Sequence, residues 1–192
     1  MKQKLHILPI IILSQFACTS TWFAGNAILE SLTKKLDFGS EIISYVISSV
    51  QFGFIIGTLL FGILMIADRF SPSKVFMVCA LLAAISNLTL ILPQLTVSSL
   101  LLARFSTGFF LAGIYPVGMK IAADYYEKGL GKALGFLVGA LVLGTAFPFL
   151  IKGTPWVNNP NNVIMLTSVI TVIGGVLLFI LVPHGPFRVA SS

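Results

Sequence analysis

Charge is what this sequence has least of. Only 9 % of its 192 residues are Asp, Glu, Lys or Arg, and just six are acidic. Soluble domains carry about a quarter charged residues, and a water-facing surface needs them for solubility. The deficit therefore excludes a soluble globular protein. Cysteine is scarce as well. Cys18 and Cys79 both lie inside apolar runs without ligand spacing, so each reads as a small packing residue. No cluster of metal-ligating residues is present, and His6 and His184 flank the apolar runs rather than sharing a site. No G-x-x-x-x-G-K loop is present either, which argues against an ATP-driven motor and, with the missing clusters, against an enzyme. The net charge of +6 is scattered at the ends of apolar runs, with no basic stripe, so nucleic acid is not an expected partner.

What the chain has instead is apolar length: 57 % of its residues are hydrophobic, and its mean hydropathy is +1.01. This is the composition of an integral membrane protein. The opening "MKQK" followed by "LHILPIIILSQFACTS" has the form of a signal peptide, with Cys18 where a lipoprotein would carry one. The apolar run continues to about residue 30, however, long enough to cross a bilayer, so it reads as an uncleaved first helix.

By the length rule, spans are expected at 7–31, 42–67, 75–93, 97–124, 132–151 and 162–183, a single all-α six-helix membrane bundle over residues 1–192. An even number of spans puts both termini on one side. Eight cationic residues (Lys2, Lys4, Arg69, Lys74, Lys120, Lys128, Lys132, Arg188) share that side, against Lys34, Lys35 and Lys152 on the other. The positive-inside rule then makes the termini cytoplasmic, in the cell's inner membrane.

Two spans share a pattern. "GFIIGTLLFG" (53–62) and "GFLVGALVLG" (135–144) both fit G-F-x-x-G-x-L-x-x-G. Each is the middle span of its triplet, and the two cross in opposite directions, as in two three-helix units of inverted topology. Glycines so spaced let another backbone approach closely, and tight packing is the expected role in both spans, including Gly131, Gly135, Gly139 and Gly144.

Between spans two and three lies "GILMIADRFSPSK", residues 62–74, with Asp68, Arg69 and Lys74 crowded together. Positive-inside placement explains the two cations but not the aspartate hard against the apolar end. "ADRFSPSK" resembles the loop signature of the major facilitator superfamily of secondary transporters, with Leu64 and Ser71 where glycines are usual. "LLARFSTGFFLAGIYP" in span four is similar to that family's second motif, with Arg104 as its membrane arginine. Span five resembles the glycine-rich antiporter motif but has Ala140 in place of its proline, which leaves antiport in doubt.

The resemblance covers essentially the whole chain, and family members have two such six-helix halves. It implies the N-terminal half of a transporter working by alternating access on a small-molecule substrate, with room for a coupling ion, proton or sodium. The end of the chain, "VPHGPFRVASS", resembles the start of the linker between halves. A C-terminal half, a second chain or a second copy would complete the transporter. The alternative is a truncated, non-transporting remnant or a six-helix scaffold that binds a partner. No cofactor is implied. The resemblance also implies that Asp68 latches the halves on the cytoplasmic side through a basic residue, for which Lys120 is the candidate, with Arg69 and Lys74 beside it.

Polar residues inside spans are costly unless paired or wetted, so they are the candidates for the substrate path. Gln15, Thr19, Trp22 and Asn26 recur at helical spacing on one face of span one, and Trp22 and Asn26 are expected to line the path. Glu30 reads as an interfacial carboxylate near Lys34. Arg104, near the outer end of span four, either holds a substrate anion or responds to a protonation event, or else snorkels to the interface. Tyr115, eleven residues on, shares its face if the helix is straight. Gln51 and Asn87 are weaker candidates that hydrogen bonds between helices would explain.

Overall fold

The computed structural model describes residues 6–35, 39, 41–154 and 159–188, the side chain of Lys35 excepted. The eight α-helices are α1 (Ile7–Lys35), α2 (Ile42–Ile63), α3 (Ile66–Arg69), α4 (Pro72–Leu88), α5 (Val97–Leu111), α6 (Tyr115–Tyr125), α7 (Leu130–Lys152) and α8 (Pro160–Leu181). They build six membrane-length segments: α1, α2, α4 with its 3-10 extension to Ile91, α5 continued by α6, α7 and α8.

Local chemistry sets the boundaries. Pro72 and Pro160 open α4 and α8 in the first turn, where a missing N–H costs nothing. Thr96 and Ser99 cap α5 reciprocally, each side chain taking the other's backbone N–H. Gly129 supplies the left-handed turn (φ 78°) that enters α7.

Two departures from the sequence reading matter. The second span ends at Ile63, not at residue 67, because Met65 turns left-handed (φ 50°) and separates α3 as its own short helix. The fourth span is broken at Ala112–Ile114. Pro116 has no N–H to offer the carbonyl of Ala112, and its ring would collide with that carbonyl in a continuous helix. The chain tightens there into bonds three residues apart, Gly113 N to Phe110 O (3.0 Å) and Ile114 N to Leu111 O (3.0 Å).

The helices pack with internal symmetry. α2 lies along the α5–α6 span as α7 lies along α1, and α1 joins α8 as the α5–α6 span joins α4. α4 and α8 meet across the middle. That is the pairing two inverted three-helix units generate. The glycines do not share it. Gly53 and Gly108 bring α2 and α5 so close that a Cβ on either would fall on a backbone carbonyl of the other helix, Phe105 or Val50. Among the described residues nothing stands against Gly131, Gly135 or Gly139, and Gly144 alone of that set packs, against Thr19 and the Phe16 carbonyl of α1. Tight packing thus explains Gly53 and Gly57 of span two but not Gly62, and it fails for most of span five.

Two apolar clusters fill the bundle, one around Phe76, Leu137 and Leu178, the other around Ile28, Leu100 and Ile164. A polar layer lies between them. Asn87 donates to Ser168 Oγ (2.9 Å) and Thr167 Oγ1 (3.3 Å), tying α4 to α8, so its role is structural. The hydroxyls of Thr107 and Thr167 bond back to carbonyls four residues earlier (2.8 and 2.7 Å).

Candidate functional site

α1, α2, the α5–α6 span and α7 line an open cleft of about 320 Å³ near the middle of their lengths. Trp22, Asn26, Gln51 and Tyr115, four of the five residues expected on the substrate path, line it. Trp22 sits edge-to-face with Phe54, ring centroids 5.0 Å apart, forming an aromatic wall. Gln51 is exposed into the cleft, and its side chain makes no hydrogen bond among the described residues, so the interhelical role considered for it is absent. Thr19 and Thr145 also line the cleft, but their hydroxyls are turned back on the Gln15 and Val142 carbonyls (2.8 and 2.7 Å). They present mainly methyl groups to it.

Arg104, the fifth candidate, is behind the wall rather than in it. It is fully buried and does not snorkel. Its Nη2 donates to the Trp22 carbonyl (2.7 Å) and to Asn26 Oδ1 (2.8 Å), while Nε and Nη1 are buried without partners among the described residues. The guanidinium lies against Gly25, where any Cβ would collide with it. No carboxylate pairs with it: the two ion pairs among the described residues both belong to Lys120. Tyr115 does not share its face, because the break after Leu111 resets the helix register.

At the end of the bundle where α3 lies, Lys120 Nζ is 2.7 Å from Asp68 Oδ1 and 3.8 Å from Asp124 Oδ1. Arg69 and Lys74 are exposed and make no ion pair among the described residues. The segment after α8 completes this corner. Phe187 N donates to the Asp124 carbonyl (3.0 Å), Tyr125 Oη donates to the Pro183 carbonyl, and Arg188 Nη2 donates to the Phe70 carbonyl (3.1 Å). Sequence reasoning missed Asp124, although its i+4 spacing from Lys120 was a readable signal. It also missed Gly25, for which a glycine adjoining the polar stripe of α1 was the only hint. The Glu30–Lys34 proximity produces no ion pair.

The profile of the Major Facilitator Superfamily matches residues 10–191. The chain belongs to that superfamily. It is a multi-pass membrane protein of a transporter family, not of an enzyme family. No curated protein matches the sequence. Among solved structures, the superfamily fold is seen in the proton:xylose symporter XylE bound to 6-bromo-6-deoxy-D-glucose, at a TM-score of 0.75 and 15 % identity. That match covers 94 % of this chain and 45 % of XylE, so the chain spans just under half the length of the transporter it resembles. At such low identity the likeness concerns the fold alone.

Proposed function

We propose that this chain is one six-helix half of a secondary transporter, and that the cleft is its share of the solute path. The observation that carries the reading is the convergence of Trp22, Asn26, Gln51 and Tyr115 on one cavity between four spans. Polar side chains inside a membrane mark a substrate path by default, and superfamily membership supports transport of a small molecule. The similar solved structure is a proton symporter, which favours a proton over sodium as coupling ion. The mechanism is alternating access: this bundle rocks against a second six-helix unit, supplied by a C-terminal half, another chain or a second copy. Both termini face the cytoplasm across the inner membrane, by the bias of lysine and arginine to that side.

Asp68, held by Lys120, is this bundle's share of the conformational latch, with Arg69 and Lys74 at its margin and the remaining part on the second unit. The side chains of Asp68 and Lys120 are 33 % and 25 % exposed, and such a pair contributes about 0.2–1 kcal/mol. A contact so weak leaves Asp68 free to exchange partners when the second unit closes on it.

Labelling of Gln51→Cys with a membrane-impermeant maleimide tests the mechanism, since Cys18 and Cys79 are buried. Alternating access predicts reaction from either side of the membrane in turn. Asp68→Asn should shift reaction toward the cytoplasmic side. Access from one side only, unchanged by Asp68→Asn, would refute it.

A further inference from the structure

We infer that the cleft selects organic monoanions with an aromatic or branched apolar body, and that Asn26 transmits the charge of Arg104 to them. The inference rests on the cleft being a solute path and names the class of solute. A guanidinium has donors only, so the atom of Asn26 that meets Arg104 Nη2 at 2.8 Å is the carboxamide oxygen. The amide nitrogen is thereby left for the cleft, which Asn26 lines, and it has no other partner among the described residues. The acceptor of Asn26 is consumed and its donor is presented.

The rest of the wall agrees. Thr19 and Thr145 have spent their hydroxyl hydrogens on backbone carbonyls. Trp22 and Phe54 offer an aromatic surface. Arg104 is buried with two unpartnered donors and makes no ion pair among the described residues, so its positive charge acts on the cleft through the Asn26 amide more strongly than it would in water. Gln51 and Tyr115 add polar groups at the margin of the aromatic surface for any further polar atom of the solute. A flat apolar body carrying one carboxylate uses the aromatic wall, the Asn26 donor and the positive potential together.

The probes are 1-naphthoate, 1-naphthamide and 1-naphthylmethylammonium, alike in shape and different in charge. Binding to the full chain in nanodiscs is read by quenching of Trp22, with Trp156→Phe to remove the second of the two tryptophans. Naphthoate should bind at least about tenfold more tightly than either relative. Asn26→Asp keeps an oxygen on Arg104, so the helix contact survives, but it cancels the charge and replaces the presented donor with an acceptor, and should abolish the preference for naphthoate. Equal binding of all three to the unmodified cleft would overturn the proposed class while leaving the solute path standing. Binding of none would overturn the proposed class as well. A naphthoate preference that persists in Asn26→Asp would overturn the role of Asn26. The comparison in the parent protein decides the class even if the variant does not fold.

Discussion

Arg104 shows at the scale of one residue why a buried charge is not in itself a stabilising feature. Its two hydrogen bonds to neutral oxygens (2.7 and 2.8 Å) are each worth about 1.5–3 kcal/mol when the donor is charged. Desolvating an ion costs several kcal/mol even after relaxation. The two terms nearly cancel, so the arginine is not retained for stability. Arg104→Met should therefore unfold within about 2 kcal/mol of the parent in a thermal or denaturant titration in detergent, and it should lose selectivity for anions. A large loss of stability would mean that the arginine is a structural rivet between α1 and α5. Gly25 is the companion of this design: removing one Cβ makes room for the guanidinium against α1.

Helices α2 and α7 carry similar glycine patterns and use them differently. A methyl group on Gly53 would meet the Phe105 carbonyl oxygen of α5, which is backbone and cannot swing aside. Gly53→Ala should cost about 1–3 kcal/mol by overpacking. Gly139→Ala meets nothing among the described residues, and replacing a helix-interior glycine with alanine gains about 0.5–1 kcal/mol. The two substitutions should therefore move the melting temperature of the purified protein in opposite directions. Equal losses would mean that α7 packs as tightly as α2. The break at Ala112–Ile114 belongs to this scale too, since it takes Tyr115 off the face of Arg104 and lets it line the cleft.

Across the whole molecule, the cleft and the Asp68–Lys120 pair lie at different depths of one bundle. The cleft is built from four spans, while α4 and α8 back the central pair α1 and α5–α6. Many large side chains on α2 and α7 remain exposed, Phe52, Leu59, Phe136 and Val142 among them, a surface suited to lipid or to a second bundle. If the chain acts as one half of a transporter, native mass spectrometry of the assembly in its source membranes should find at least two six-helix units together. A solitary species of 20.6 kDa would refute that assembly, whatever the cleft binds.

The sequence by itself determined the solvent. With so little charge and six apolar runs of bilayer length, the chain had to become membrane helices, because backbone polar groups in lipid must be paired within each segment. It also determined the family, through "ADRFSPSK" and the arginine of span four, and it marked Trp22 and Asn26 by their spacing on one helical face. Only the tertiary structure decided what Arg104 touches. Periodicity reports a face, not the helix opposite it, and a straight-helix argument cannot see the break that Pro116 imposes. It also decided which glycines pack, since in matching local patterns Gly53 and Gly57 of α2 face a backbone while Gly135 and Gly139 of α7 meet nothing among the described residues. The charged corner of Asp68, Lys120 and Asp124 was half legible in the same way. Each charge was visible in the sequence, but the distance between the ends of two helices is set by packing, which no single segment encodes.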